Sequence, residues 1–162
     1  MKKLRIGHGF DVHPLVKRRD LIVGGVKILF EKGLAGHSDG DVLLHAIMDA
    51  LLGAAGLPDI GQQFPPTDAK YKNADSIQLL KSVCRMVTEA GFTEIVNIDA
   101  IIMAEKPQMN PHIPSMIKRI AEAVQTETSR INIKATTTEK LGFIGREEGI
   151  AASAVCFIAG DE

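Results

Sequence analysis

The sequence predicts one small α/β (α+β) domain over residues 1–162, a mixed sheet covered on one face by helices. Three features lead there. Stretches that alternate apolar and polar residues are interleaved with stretches whose apolar residues recur every three to four positions. A Gly-Gly pair interrupts a short apolar run, the mark of a tight hairpin. With 45% hydrophobic and 24% charged residues, 162 residues bury one core but are few for two. No low-complexity linker, internal repeat or charge run divides the chain.

Leu4 to His13 reads as the first strand, its Gly7 and Gly9 implying a bulge or the close approach of another backbone. Leu21 to Ile28 reads as a hairpin, because Gly24 and Gly25 adopt the positive φ of a tight turn without strain. A helix is expected from Ser38. Ser38 and Asp39 offer caps, Asp41 complements the helix dipole, and Val42, Ala46, Met48/Asp49 and Leu52 form a stripe ending at Gly56. Gly56 to Lys72, with Pro58, Pro65 and Pro66, reads as loop. A second helix starts near Asp75 and Ser76, buries Ile77, Leu80, Cys84 and Val87, and stops at Gly91. Ile95 to Ala104 alternates as a strand, with Ile98, Ala100, Ile102 and Ala104 on one face. Asn110-Pro111 is expected to open a third helix with Asn110 as its cap, and Ile113, Met116/Ile117, Ile120 and Val124 inward. Strands from Arg130 to Thr137 and Ile150 to Ala159 close the chain.

Composition removes whole classes of function. Nineteen basic against twenty acidic residues leave no excess for nucleic acid, and 4% aromatics without Trp leave no base-stacking platform. The basic N-terminus lacks the apolar stretch of a secretion signal, and Ile150 to Ala159 is too short to span a bilayer. No membrane partner and a cytoplasmic location are expected. Cys84 and Cys156 make no disulfide framework and read as buried reduced thiols. P-loop, dinucleotide-fingerprint and nucleophile-elbow motifs are all missing from the sequence.

Several clusters carry chemistry. Asp11 and His13, two apart on a strand, point the same way. With His45 they read as a three-ligand catalytic zinc set, or else as a surface pair beside a core histidine. Asp49, four residues after His45, is placed to orient that ring's second nitrogen. Gly36 to Asp41, with His37, reads as an anion site at a helix start or as an ordinary cap. Thr136-Thr137-Thr138-Glu139-Lys140 offers hydroxyls to phosphate and a carboxylate to a hard cation, or is a capping run. Asp59-Ile60-Gly61 is a hydroxyl-binding carboxylate or a plain turn, and His8 and His112 read as structural and surface residues.

These clusters coincide in order and spacing with one family. Arg5 to His13, Ala35 to Val42, Lys134 to Phe143, Asp59 to Gly61 and Pro111 to Pro114 closely resemble the 2-C-methyl-D-erythritol 2,4-cyclodiphosphate synthases of non-mevalonate isoprenoid biosynthesis, essentially end to end. The resemblance implies a homotrimer with active sites between subunits. It also implies cyclisation of 4-diphosphocytidyl-2-C-methyl-D-erythritol 2-phosphate with release of CMP. Asp11, His13 and His45 match zinc ligands, and Glu139 matches the ligand of a second ion, Mg²⁺ or Mn²⁺. His37 and Thr137 match positions that stabilise the transition state. Ser38, Asp59, Ile60, Gly61, Phe64 and Asp68 match erythritol and phosphate contacts. Ala104, Lys106, Pro107, Gln108, Met109 and Asn110 match a cytidine-binding segment, alongside Thr136 and Thr138. Phe143, Arg146 and Glu148 match the lining of a trimer-axis cavity able to hold an isoprenoid diphosphate, or else form packing and a rim ion pair. Pro66 stands where many members carry Asp, and Gln108 where Lys is frequent. A zinc phosphohydrolase and a non-catalytic nucleotide sensor are the competing readings.

Overall fold

The computed structural model describes residues 2–161. In chain order its elements are β1 (Lys2–Lys17), β2 (Leu21–Val23), β3 (Val26–Ile28), β4 (Lys32–Leu34), α1 (Val42–Ala55), the single turn α2 (Ile60–Gln63) and α3 (Ser76–Glu89). Then follow β5 (Glu94–Met103), α4 (Ile113–Val124), β6 (Ile131–Thr136), the single turn α5 (Gly142–Gly145) and β7 (Gly149–Asp161). The main sheet has five strands in the order β4-β1-β7-β5-β6. It is mixed: β5 and β6 are parallel and the other neighbours antiparallel. β2 and β3 form the expected separate hairpin, turning through Gly24 and Gly25 at φ 63 and 71.

The layering follows from α1. Its sequence suggests a single stripe, yet Val42, Leu43, Leu44, Ala46, Ile47, Met48, Leu51 and Leu52 are all buried. A helix that is apolar all round belongs between two layers. Here the sheet lies on one side and α3 on the other, with α4 beside α3 over β6. The fit of α1 to the sheet is backbone on backbone. A Cβ on Gly7 would lie 1.9 Å from the Ala50 carbonyl oxygen, and one on Gly9 only 2.0 Å from that of Ala46. Gly9→Ala is therefore expected to cost about 3 kcal/mol or more in urea denaturation, since α1 must lift or β1 bend. An unchanged midpoint would show that the helix yields freely.

Three boundaries differ from expectation. The first helix begins at Val42 rather than near Ser38, because Asp41 is its cap: the carboxylate accepts from the amides of Leu44 at 3.1 Å, Gly24 at 2.9 Å and Gly25 at 2.7 Å. Burial pushes this carboxyl up to about 6 against the pull of those amides. Asn110 caps nothing; Asn110–His112 is a 3₁₀ turn and α4 starts at Ile113. The loop after Gly56 contains α2, capped by Asp59, and a 3₁₀ turn at Ala69–Tyr71 capped by Asp68. Cys156 is buried as expected, whereas Cys84 is half-buried, and burial pushes its thiol up to about 12. No described helix is long and apolar enough to cross a membrane.

Among the described residues, no helix covers the opposite face of the sheet. Gly7 and Gly9 point at α1, so Leu4, Ile6, His8, Phe10 and Val12 point away. Ile6 is 68% exposed and Phe10 53%, and Val155, paired across from His8, joins them. His8 donates to or accepts from Ser153 Oγ at 2.8 Å on this face, a structural role as expected.

Candidate metal centre and binding cavity

Strand periodicity brings Asp11 and His13 to one side of β1, and α1 lays His45 over them. Asp11 Oδ2 stands 2.8 Å from His13 Nε2 and 2.9 Å from His45 Nδ1. The two ring nitrogens are 3.0 Å apart. Among the described residues these ligand atoms form a group of metal-binding type. The remaining nitrogens are spoken for: His13 Nδ1 donates to the Ala35 carbonyl at 2.7 Å, and His45 Nε2 meets the hydroxyls of Ser38 and Ser76, each at 3.1 Å. One nitrogen of each ring is thus held by the fold while the other faces Asp11. Burial alone would raise the Asp11 carboxyl, but hydrogen bonds from both imidazoles outweigh it and hold the group well below the usual carboxylate range. Burial likewise works against a charged His13, yet the Asp11 carboxylate and the Ala35 carbonyl raise its pKa.

Asp49 does not reach His45. Its Oδ1 accepts the Ile60 amide at 2.9 Å and anchors α2, and Ser38 and Ser76 take the role expected of it. At the start of α1 the Asp41 carboxylate takes the Leu44 amide, together with those of Gly24 and Gly25 in the hairpin.

Above the triad lies a cavity of about 220 Å³ that also touches His37, Ser38, Ile60, Gly61, Phe64 and Pro66. Its apolar wall includes Met48, from the stripe of the first helix, and Tyr71 and Leu79, which no spacing in the sequence singles out; Phe64 packs edge-on to Tyr71 with ring centres 5.2 Å apart. His37 sits at its side with Nε2 3.3 Å from the Asp68 carbonyl oxygen. The carboxylates of Asp59 and Asp68 cap the neighbouring turns, accepting from the Gln62 and Lys70 amides at 3.0 Å each. A wider cleft of about 930 Å³ opens at the far end, between the ends of α3 and α4, but gathers no set of metal-ligand atoms.

The second group of candidates forms its own cluster at the ends of β5 and β6. The Ala104 amide donates to the Thr136 carbonyl at 3.0 Å, joining the 104–110 and 136–139 segments. Ala104 and Met109 are buried, Pro107 is half-buried, and Lys106, Gln108 and Asn110 are exposed, with Lys106 Nζ 3.5 Å from Glu147 Oε1. Thr136 Oγ1 donates to the Thr137 carbonyl at 3.0 Å and Thr138 Oγ1 to that of Leu141 at 2.8 Å. Glu139 is exposed at φ 54, its amide donating to Thr137 Oγ1 at 3.2 Å. Asp11 pairs with Ala152, Ala152 with Ile102, and Ile102 with Ala135. That row puts the two clusters at the same sheet end but three strands, about 14 Å, apart. Phe143 is 43% exposed, and Arg146 Nη2 donates to Glu148 Oε2 at 3.0 Å.

Comparison with known proteins places this geometry. The profile described as the YgbB family matches residues 4–159. The 2-C-methyl-D-erythritol 2,4-cyclodiphosphate synthase of Nitrosomonas europaea is 61% identical over 163 residues, covering 100% of this chain and 99% of its own. The bifunctional IspDF from Campylobacter jejuni superposes with TM-score 0.95 at 47% identity; all of this chain matches, but only 44% of that longer protein. IspF of Plasmodium falciparum, solved as a CDP complex, gives TM-score 0.85 at 31% identity, over 98% of this chain and 97% of that one.

Proposed function

The chain belongs to the YgbB family, and from that premise we propose that it cyclises 4-diphosphocytidyl-2-C-methyl-D-erythritol 2-phosphate to 2-C-methyl-D-erythritol 2,4-cyclodiphosphate, releasing CMP. The observation that carries this is the Asp11/His13/His45 triad on the floor of a cavity walled by His37, Ser38, Gly61 and Phe64. The donor set suits a divalent ion of zinc type. One carboxylate and two imidazoles are intermediate in hardness, and each imidazole is fixed from behind. Donor separations of 2.8–3.0 Å need open only slightly toward the roughly 3.3 Å expected around a tetrahedral ion with bonds of about 2.0–2.1 Å. The hard carboxylate of Glu139 suits Mg²⁺ or Mn²⁺. Ions bound at both places would cancel charge on the diphosphate as it reacts.

In the reaction an oxygen of the 2-phosphate attacks the β-phosphorus. The new P–O bond closes the ring, the bond from β-phosphorus to the bridging oxygen breaks, and its electron pair departs on the phosphate of CMP. An ionised phosphate needs no general base, which accounts for a site without an acid–base dyad. What the protein supplies is folding of the substrate into an attacking geometry. Phe64 and Tyr71 offer an apolar wall to the methylerythritol, and Ser38 and the His37 ring border it. Thr137 Oγ1 accepts the Glu139 amide and keeps its own proton for a phosphate oxygen. The 104–110 segment, fastened to Thr136, is assigned to the cytidine.

The two clusters lie too far apart to act on one diphosphate within one chain, so one copy's triad is completed by a neighbour's Thr136–Glu139. The uncovered face of the sheet, with Leu4, Ile6, Phe10, Val12 and Val155 exposed, supports association through that face, and three is the number that the family resemblance implies. A cytoplasmic location fits this reading. Incubation with substrate and Mg²⁺, followed by phosphorus NMR, is expected to show the cyclic diphosphate and CMP. A linear product would indicate a zinc hydrolase, and nucleotide binding without turnover a sensor; either overturns the assignment. At the threefold axis, exposed Phe143 beside Arg146 suits a prenyl diphosphate. Such a ligand is expected to raise the melting temperature of wild type but not of Arg146→Ala; equal shifts would refute it.

A further inference from the structure

We propose that Arg19 is a positioning residue for the metal centre, acting through the segment 35–38 rather than touching substrate or metal. Its guanidinium Nη2 donates to two carbonyls of that segment, Gly36 at 3.3 Å and Ser38 at 2.5 Å. The same segment supports both imidazoles of the triad. The Ala35 carbonyl accepts from His13 Nδ1 at 2.7 Å, and Ser38 Oγ meets His45 Nε2 at 3.1 Å. Gly36 lies flat against the His13 ring: a Cβ there would come within 3.0 Å of Cε1. Residues 35–38 are in neither helix nor strand, and the backbone holds them by isolated bonds, the Ala35 amide on the Pro14 carbonyl at 2.9 Å and the Asn73 amide on the His37 carbonyl at 2.8 Å, rather than by a continuous ladder. Arg19 adds to these the two N–H groups of Nη2, coplanar and preset by the guanidinium, a geometry that a lysine ammonium lacks.

The root of the clamp is fixed as well. The carbonyl oxygens of Asp20 and Arg19 sit where a Cβ on Gly33 would be, 2.1 and 2.4 Å away. The Arg19 backbone is thereby pressed onto β4, and only its side chain spans to the site. Nothing in the chemistry above uses Arg19. The cleft of about 650 Å³ that it lines, with Arg18, Phe30 and Asn73 among its walls, leaves the guanidinium reachable from solvent.

This inference rests on the metal-centre reading. The test compares wild type, Arg19→Ala, Arg19→Lys and Arg130→Ala. Arg130 is a control of like chemistry, a guanidinium donating to the Ile95 carbonyl and Glu94 at the other end of the sheet. Zinc affinity by competition with a chelator and the visible spectrum of the cobalt-loaded protein are the readouts. Arg19→Ala is expected to bind zinc 10–100-fold more weakly with shifted cobalt bands, Arg19→Lys to fall between, and millimolar guanidinium to restore Arg19→Ala in part. Arg130→Ala is expected to lose stability only. Zinc affinity and cobalt bands in Arg19→Ala equal to wild type, or an equal loss in Arg130→Ala, overturns the positioning role alone. Wild type that takes up no divalent ion overturns the metal centre and this inference with it.

Discussion

Asp11→Ala is expected to lower kcat/KM for cyclisation by about a thousandfold or more, on the order of 4 kcal/mol of transition-state stabilisation. Asp11 is the one anion in the triad and the common partner of both imidazoles, at 2.8 and 2.9 Å. Removing it takes away a ligand and leaves two rings facing each other with nothing between them to order. Neither ring loses its rear support, and the residue lies outside the apolar core, so the fold should survive and circular dichroism should be unchanged. The measurement is steady-state turnover together with zinc content. Near-wild-type turnover in zinc-free Asp11→Ala would show that the triad is structural.

The second large effect is a recovery. Asp11→Ala and Glu139→Ala are each expected to be nearly inactive alone. If each site takes its triad from one subunit and Glu139 from the next, mixed trimers contain one intact site whichever variant is in the majority. Random reassembly of equal amounts should then restore about a quarter of wild-type activity. Two variants that both stay dead after verified subunit exchange would mean that Asp11 and Glu139 serve the same chain, contrary to the three-strand separation between them.

What the sequence made legible follows the range of the interactions involved. The hairpin at Gly24-Gly25 and the alternation of Ile98, Ala100 and Ile102 depend on neighbours a few residues away, and the structure has them as read. Asp11 and His13 share a face for the same local reason. His45 differs: its approach to β1 requires α1 to settle on Gly7 and Gly9, and the two glycines announce a bulge or the close approach of a backbone but not that it is a helix about forty residues away. Asp49 misled because i+4 spacing suggests contact, while the chain after Gly56 folds back and gives that carboxylate the Ile60 amide. The partners of His45, Ser38 and Ser76, come from separate segments joined by Asp39, which accepts the Ser76 amide at 2.9 Å. Asp41 looked like a first-turn acid because the amides of Gly24 and Gly25 are brought to it only by tertiary folding.

The backbone contact between β1 and α1 has a consequence for how the protein tolerates change. Two of the three triad residues ride on the strand and the third on the helix, immediately before Ala46, whose carbonyl abuts Gly9. The gauge between the ligands is set by main chain resting on main chain, with no side chain as a shim. Mutational drift in the layer beyond α1, at Leu80 or Val83 of α3, can therefore loosen the molecule as a whole without altering that gauge. Robustness of the fold and accuracy of the site are carried by different parts of the chain, so a lineage can spend one while keeping the other.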